Sequence, residues 1–547
     1  MTRKVPKFVQ TERVLKGWDY AVFILLTCIN LYFVDNFFSV WIGQKSWQRH
    51  PFVFAALLSI FALILLNYMG RWFLLTFMKR PLPMQASAGW RVAAVTTIMP
   101  GAESLVMLEQ TVKAMVGIEY PHDVWVLDEA DDDRVKKICR DLGAKHFSRR
   151  NMPRYQTESG KFQSKSKHGN YNAWLNEIGF ERYDIIAAFD PDHVPQRDYL
   201  TSVLGYFDDP KIGYVQTAQA YYNQKASFIA RGAAEETYAY FSSIQMASYG
   251  FGYPVIVGCH NTHRATALKE VGGFAPHDAD DLLLTIFYRS HNWQGVYVPR
   301  ILARGLTPVD WRGYITQQRR WARSVLDIKL RLYRQHFIKL PLKTRLASLF
   351  HGLNYLYKNF VIFLALVAFA LMLVTGYMPR AFSGETAQKL GLMALVLLVS
   401  DFYRQRFYLD GRNERGFHWR VALLQLAKWP YMLMAFFDVL LKRRFPYVLT
   451  SKVEGNSRHH VLLKPFLTLI MAILAAWAFG TFSGAIASPA LHATAFAIVA
   501  GSLALILSEY MNFPAPYDKS LSPSVGEVEM VEKLTDSGMF RAVSNRK

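Results

Sequence analysis

Two long apolar runs open the chain and several more close it; between them, short apolar segments alternate with polar ones. Residues 19–42 and 52–77 are each long enough to cross a hydrocarbon core about 30 Å thick, and they predict a membrane-spanning pair. From Lys79 to about Thr344 no comparable run occurs. Apolar stretches of five to eight residues alternate there with helix-like polar segments, which predicts an α/β domain with enough chain to bury its own core. Hydrophobicity returns over residues 348–377, 388–408, 419–441, 462–482 and 490–509, so seven segments are candidates to span.

Flanking charge orders these segments. The N-terminal tail carries Arg3, Lys4, Lys7, Arg13 and Lys16, whereas the connection between the first two runs has only Lys45 and Arg49; the tail and the α/β domain are therefore expected in the cytosol. The connections around 410–420 (Arg412, Arg415, Arg420) and 442–464 (Lys442, Arg443, Arg444, Lys452, Arg458, Lys464) are both basic and expected on the same side. One spanning helix cannot join two flanks on one side. Segment 419–441, interrupted by Lys428, Pro430 and Asp438, is thus expected in the membrane interface, leaving six spans; the seven-span alternative puts the basic 442–464 connection outside. The division that follows is a tail and two spans over 1–80, a cytosolic domain over 81–345, four spans over 346–510 with the interface helix at 419–441, and a cytosolic tail over 511–547. Asp35 lies inside the first run. A charge costs about 2.5 kcal/mol or more at a bilayer centre, so Asp35 either lines a polar pathway or sits near the outer interface.

Composition agrees with a mixed chain: of 547 residues 52% are hydrophobic and 19% charged, too apolar for an ordinary soluble enzyme and too charged to lie wholly in a membrane. The formal charge of +21 would suit nucleic acid, anionic lipid or a phosphorylated substrate. Membrane flanks take up much of it, and no zinc finger, RNA-recognition signature or base-reading basic helix occurs, so nucleic acid is not an expected partner. Cys28, Cys139 and Cys259 are widely spaced and odd in number, as in a reduced, cytosol-facing catalytic region. The first apolar run begins only near Trp18, lacks a small-residue cleavage site and is followed by a second run, so no cleaved signal peptide is expected.

Within the α/β stretch, acidic residues recur where apolar segments end. VAAVTTIM (92–99) reads as a buried strand closed by Pro100-Gly101, and VWVLDEADDD puts Asp128 at the end of a second strand. Open α/β sheets bind nucleotides at the carboxyl ends of parallel strands, although strand ends also carry Asp for turn chemistry. A third strand, YDIIAAFDPDHVP, runs into Asp190-Pro191-Asp192-His193. Two carboxylates two residues apart suit Mg2+ or Mn2+ held against a diphosphate. The cluster HDADD (277–281) precedes the helix-like LLLTIFYRS, so Asp280 and Asp281 fall near a helix N-terminus, as caps or as chemistry. Gln317-Gln318-Arg319-Arg320-Trp321 lies on a basic amphipathic stretch leading to the membrane. Arg320 offers a forked cation to a diphosphate and Trp321 a ring face to a sugar, while the same stretch also suits an interfacial anchor.

In this order, between two groups of spans, these features resemble the processive family 2 glycosyltransferases, the cellulose synthases and their relatives making hyaluronan, chitin and other β-glycans. That family's spaced Asp, DxD, TED and QxxRW are matched by Asp128, Asp190-Pro191-Asp192, Ala279-Asp280-Asp281 and Gln317 to Trp321. Its KxGNxN stretch is matched by Lys167 to Asn172, and its VQTPQ-like strand by Val215-Gln216-Thr217-Ala218-Gln219. Tyr447-Val448-Leu449-Thr450-Ser451-Lys452 is similar to the FxVTxK gating loop of cellulose synthases, here placed at 445–460. Two departures stand out: Ala-Asp-Asp replaces Thr-Glu-Asp, and Val257-Gly258-Cys259-His260-Asn261-Thr262 replaces the FCGTN-like acceptor loop.

The resemblance implies an integral membrane α-helical protein with a cytosolic α/β nucleotide-sugar-binding domain of glycosyltransferase A type. Its expected activity is inverting, processive transfer from a UDP-sugar donor to a growing polysaccharide acceptor in a bacterial inner membrane. UDP-glucose is the first choice of donor, with UDP-N-acetylglucosamine and GDP-mannose open, and accessory export subunits are possible partners. By the same resemblance Asp281 is the general base, with Asp280 in the Glu position, and Asp190, Asp192 and His193 hold Mg2+ or Mn2+. Thr96, Glu103, Asp128, Lys167, Asp190, Gln317, Arg320 and Lys452 contact the nucleotide sugar, and Trp321, Cys259 and His260 the acceptor. Tyr355, Tyr357 and Trp429 are candidates for a channel lining or for an interfacial aromatic belt. The 37 residues after Tyr510 are too few for a cyclic-di-GMP-binding domain, so that regulation is not expected. A non-processive transferase acting on a lipid-linked acceptor shares the acidic motifs. A transporter with a nucleotide-binding domain is the other alternative, against which stands the lack of a GxxxxGK[ST] loop.

Overall fold

In the computed structural model, which describes residues 8–48, 50–443 and 460–510, the short apolar segments of the middle of the chain become strands. Two of them, β1 (Thr11–Arg13) and β2 (Lys79–Pro81), pair antiparallel and tie the tail to the start of the α/β domain. The others are β3 (Val92–Ile98), β4 (Asp123–Asp128), β5 (Lys145–Phe147), β6 (Ile185–Phe189), β7 (Val194–Pro195), β8 (Ile212–Tyr221), β9 (His260–Arg264) and β10 (Gln294–Gly305). They form one eight-stranded sheet in the order β5-β4-β3-β6-β9-β8-β10-β7. β3 lies parallel to β4 and β6, β4 to β5, and β8 to β10, whereas β9 is antiparallel to both its neighbours and β7 to β10. The parallel strands therefore end on the edge where β9 begins.

Strand alternation explains why the central strands read as continuous apolar runs. Along β3, Ala93 and Val95 face one cluster with Tyr171, Trp174, Leu268 and Leu284, while Val92, Ala94 and Ile98 face another with Leu108, Val112, Met115 and Tyr199. Helices Lys167–Trp174 and Asp280–Ser290 cover the first face, and Leu105–Val116 and Tyr199–Val203 the second. A strand buried on both faces needs apolar residues at every position.

Among the described residues six helices are long and apolar enough to cross a membrane: Trp18–Gly43, Pro51–Phe77, Tyr355–Thr375, Gly384–Phe407, Leu463–Phe482 and Pro489–Ser508. Their bounds follow the apolar runs, and their length and composition are those of membrane-spanning helices. The remaining run forms the helix Trp419–Leu440, which is not among the six. Its Lys428 and Asp438 are buried, and its apolar side packs on helices Phe228–Ala239 and Trp311–Asp327 through Leu424, Ala427, Met432 and Ala435. Asp35 is exposed on the outside of its helix and accepts from Ser39 Oγ at 3.3 Å, so it lines no interior path. The gating-like sequence with Lys452 and the tail over 511–547 lie outside the described residues.

Candidate active site

The chain leaves β6 as Asp190-Pro191-Asp192-His193 and enters β9 as Val257-Gly258-Cys259-His260. Pairing of these strands sets Phe189 opposite His260 and so brings the two turns together, with Asp190 N donating to Cys259 O at 2.7 Å. Lys167 stands at the N-terminus of the helix Lys167–Trp174, whose start is fixed by Ser166 Oγ accepting from Gly169 N at 3.1 Å. Its Nζ donates to Asp190 Oδ1 and to Gly258 O, each at 2.5 Å. Gly258 N in turn donates to Asp281 Oδ2 at 2.8 Å. A single residue, Gly258, thus links the Asp-Pro-Asp-His cluster to the pair of carboxylates at the start of the helix Asp280–Ser290.

Electrostatics distinguish the members of this group. Burial and the charge of Asp280 hold Asp281 above the usual carboxylate range, although N–H groups of Leu282 and Gly258 pull the other way. Burial also raises Asp280, against the opposing charge of Lys167. Two such neighbours titrate as a pair, and one keeps a proton to higher pH than an isolated carboxyl would. Burial alone would lower the Lys167 ammonium, but Asp190 and Asp280 carry it well above its ordinary value. The 277–281 loop is fixed from its other side: His277 Nε2 lies 3.2 Å from Asp327 Oδ2, its Nδ1 accepts from Ala279 N at 3.0 Å, and Arg323 reaches Asp278 at 3.4 Å. Arg323 and Asp327 belong to the helix Trp311–Asp327, capped by Asp310 Oδ1 accepting from Gly313 N at 2.7 Å, which also carries Gln317, Arg320 and Trp321.

Asp192 and His193 are buried. Asp192 Oδ2 accepts from Leu306 N at 3.1 Å, and its Oδ1 faces His193 Nδ1 at 3.3 Å. The imidazole lies directly over Gly305, where a Cβ would come within 2.3 Å of ring atoms, so that position requires glycine. One ligand atom from each of Asp190, Asp192 and His193 lies within 4.8 Å of the others. Two carboxylates and an imidazole at this edge of the sheet form a donor set that fits Mg2+ or Mn2+.

The residues singled out in the sequence fall into distinct places. Lys167, Asp190, Asp192, His193, Asp280 and Asp281 come together around Gly258 and Cys259. Gln317 is buried and Arg320 and Trp321 half-buried on the helix tied to that group. Asp128 ends β4 as expected, but its carboxylate closes the following turn: Oδ1 accepts from Ala130 N at 2.9 Å, Oδ2 from Asp132 N at 2.6 Å, and His146 Nε2 lies 3.2 Å from Oδ2. Glu103 Oε2 likewise accepts from Met99 N at 2.8 Å in the turn after β3. Thr96 is wholly buried within β3, and its hydroxyl has no hydrogen-bond partner among the described residues. Cys259 and His260 are both buried. Of the three aromatic lining candidates, Tyr355 packs beside Ala322, Met432 and Ala435, Tyr357 donates to Asn67 Oδ1, and Trp429 lies against Phe363.

Among the other polar groups that build the site, Arg149 carried no sequence signal. Arg149 is fully buried; its guanidinium pairs with Glu129 at 2.8 Å and donates to the carbonyls of Tyr155, Phe162 and Gln163 at 2.9, 3.1 and 2.8 Å. Glu129 also accepts from Lys165 N at 2.8 Å, so this pair folds the segment that delivers Lys167. At the helix Trp419–Leu440, Lys428 donates to Glu236 at 2.8 Å and to Gln318 Oε1 at 3.0 Å, Tyr314 OH donates to Glu236 at 2.8 Å, and Arg319 pairs with Asp438 at 2.6 Å. The helix Trp419–Leu440 is thereby fastened to the two positions between Gln317 and Arg320. Lys428→Met leaves the Glu236 carboxylate without its cation and is expected to destabilise the protein by about 3 kcal/mol. The double variant Lys428→Met/Glu236→Leu should recover most of that loss in thermal unfolding of the detergent-purified chain; equal stability of wild type and single variant would show that the pair is not holding the helices together.

The profile described as glycosyltransferase like family 2 matches residues 93–324, which span β3 to β10 and the helix bearing Trp321. Cellulose synthase catalytic subunit (UDP-forming) of Xanthomonas axonopodis pv. citri is 24% identical over 259 residues, 46% of this chain and 34% of the relative. Beta-monoglucosyldiacylglycerol synthase of Synechocystis is 30% identical over 227 residues, 40% of this chain and 44% of the relative. A probable glucomannan 4-beta-mannosyltransferase of Oryza sativa subsp. japonica is 25% identical over 297 residues, 51% of each. These matches span about a third to a half of the relatives' own lengths. A mannosyltransferase of Pyrobaculum calidifontis, solved in complex with GDP-Man and Mn2+, superposes with a TM-score of 0.47 at 18% identity, covering 72% of this chain and 99% of that one. The mixed sheet carries its acidic turns at the carboxyl edge of its parallel strands, and residues 93–324 match a glycosyltransferase family 2 domain.

Proposed function

We propose that the protein is an inverting, metal-dependent glycosyltransferase that polymerises a nucleotide sugar, UDP-glucose first among donors, into a β-linked glucan. The domain faces the cytosol of a bacterial inner membrane, and the six apolar helices carry the product across. The observation that carries this reading is the Gly258 bridge, which sets a cation-binding cluster and a carboxylate of raised pKa side by side at the nucleotide-binding edge of the sheet.

In the reaction the acceptor hydroxyl attacks the anomeric carbon while Asp281 takes its proton. The bond from that carbon to the acceptor oxygen forms as the bond to the phosphate oxygen breaks, and the electron pair leaves with the diphosphate. A bound Mg2+ or Mn2+ supplies positive charge to that leaving group. Asp190, Asp192 and His193 would hold the ion, and Lys167, Arg320 and Lys452 would add charge of the same sign. Glu103 and Asp128 shape the pocket for the nucleotide base, with Thr96 behind them in β3 and Gln317 beside the donor. Trp321 offers its ring to the acceptor sugar.

Trp321→Ala is the test of elongation. It should shorten the product while donor hydrolysis persists; equal loss of both activities would make Trp321 a structural residue. A second reading, transfer of one sugar to a lipid-linked acceptor, is favoured by the 30% identity to a glucosyldiacylglycerol-forming relative. Product length separates the two, since that reading gives a single added sugar and no polymer.

A further inference from the structure

We propose that His193, Cys259 and His260 form a second cation site, suited to a borderline-soft divalent ion such as Zn2+ or Co2+, beside the site made by Asp190, Asp192 and His193. All three side chains are buried, and one ligand atom from each lies within 4.8 Å of the other two. Two imidazoles and a thiol are poor partners for Mg2+ and good ones for zinc-like ions.

The tautomer of His260 carries the argument. Its Nε2 lies 3.1 Å from Ala218 O, and a carbonyl oxygen only accepts, so Nε2 bears the proton and Nδ1 the lone pair. That Nδ1 is buried and has no hydrogen-bond partner among the described residues. An unpaired buried nitrogen is costly, and a cation would satisfy it. Histidines that bind metals commonly donate their other ring N–H to a carbonyl or carboxylate, which fixes the ring for the ion. Here the carbonyl is on β8 and is held by the sheet. The rings of His193 and His260 lie 5.5 Å apart, and the Cys259 carbonyl accepts from Asp190 N, so the two sites share His193 and one turn. Binding would release the thiol proton to solvent and form a sulfur-to-metal bond.

The test is spectroscopic and does not read sugar transfer. Cobalt(II) titrated into the full-length chain in detergent should give a near-ultraviolet thiolate-to-cobalt band that saturates at one equivalent. The band should be absent in Cys259→Ser, require at least about tenfold more cobalt in His260→Ala, and persist in Asp192→Asn and Cys139→Ser. Thermal unfolding of each variant without metal establishes that it is folded. A wild-type chain with no such band, or a band that survives Cys259→Ser, overturns the proposal.

Discussion

Asp281→Asn is expected to lower sugar transfer by about 10²- to 10⁴-fold, the usual worth of a positioned general base, while nucleotide binding stays nearly unchanged. The side-chain amide keeps the shape of the carboxylate and can still accept from Gly258 N, so the bridge to Lys167 and Asp190 survives. What it loses is the lone-pair basicity needed to take the acceptor's proton. Steady-state rates with a labelled donor, set beside calorimetric binding of the nucleoside diphosphate, separate the two effects. Undiminished turnover would remove Asp281 from the reaction and leave Asp280 as the base. The wild-type pH profile provides an independent check. Because burial and Asp280 raise the Asp281 pKa, the base form is lost at higher pH than for an ordinary carboxylate. The acid limb of kcat/KM should therefore lie above pH 4, roughly the unperturbed value, and should vanish from the residual activity of Asp281→Asn.

Asp192→Asn should act on a different parameter. It removes one of two carboxylates from the cation-binding group, so the metal concentration giving half-maximal activity is expected to rise by about tenfold or more, with excess Mn2+ restoring part of the rate. The amide oxygen can still accept from Leu306 N, which keeps the end of β10 in place and separates loss of the ion from loss of the fold. Titrating activity with Mn2+ for wild type and variant gives the shift directly. Superimposable titrations would show that Asp192 takes no part in holding the ion.

Much of this was legible in the sequence because it rests on local patterns. The apolar helices follow from uninterrupted apolar length, and the exclusion of 419–441 from the spanning candidates follows from Lys428, Pro430 and Asp438 within an otherwise apolar run. The structure adds what those charges do: Lys428 and Asp438 are buried against Glu236, Gln318 and Arg319 of the adjoining helices. Acid-bearing strand ends were equally visible, since a buried strand followed by Asp-Pro-Asp is a local signal. Which strand ends meet was not legible. The encounter of Asp190 with Gly258 and Cys259 depends on β9 inserting antiparallel between β6 and β8, a pairing between segments some seventy residues apart in sequence. Asp128 shows the reverse case: its position was clear, but only the structure reveals that both carboxylate oxygens are taken by the turn behind it. Arg149 left no mark at all, being one basic residue among many until Glu129 and three carbonyls close around it.

The most direct measurement is transfer by the purified full-length protein with Mg2+ or Mn2+ and, in separate reactions, labelled UDP-glucose, UDP-N-acetylglucosamine and GDP-mannose, the product being digested with linkage-specific hydrolases. The account predicts release of UDP from UDP-glucose and incorporation of label into a polymer cut by β-glucan-specific enzymes, with neither seen when the metal is chelated. Transfer that persists in chelator, an α-linked product, or no transfer from any of the three donors would contradict it.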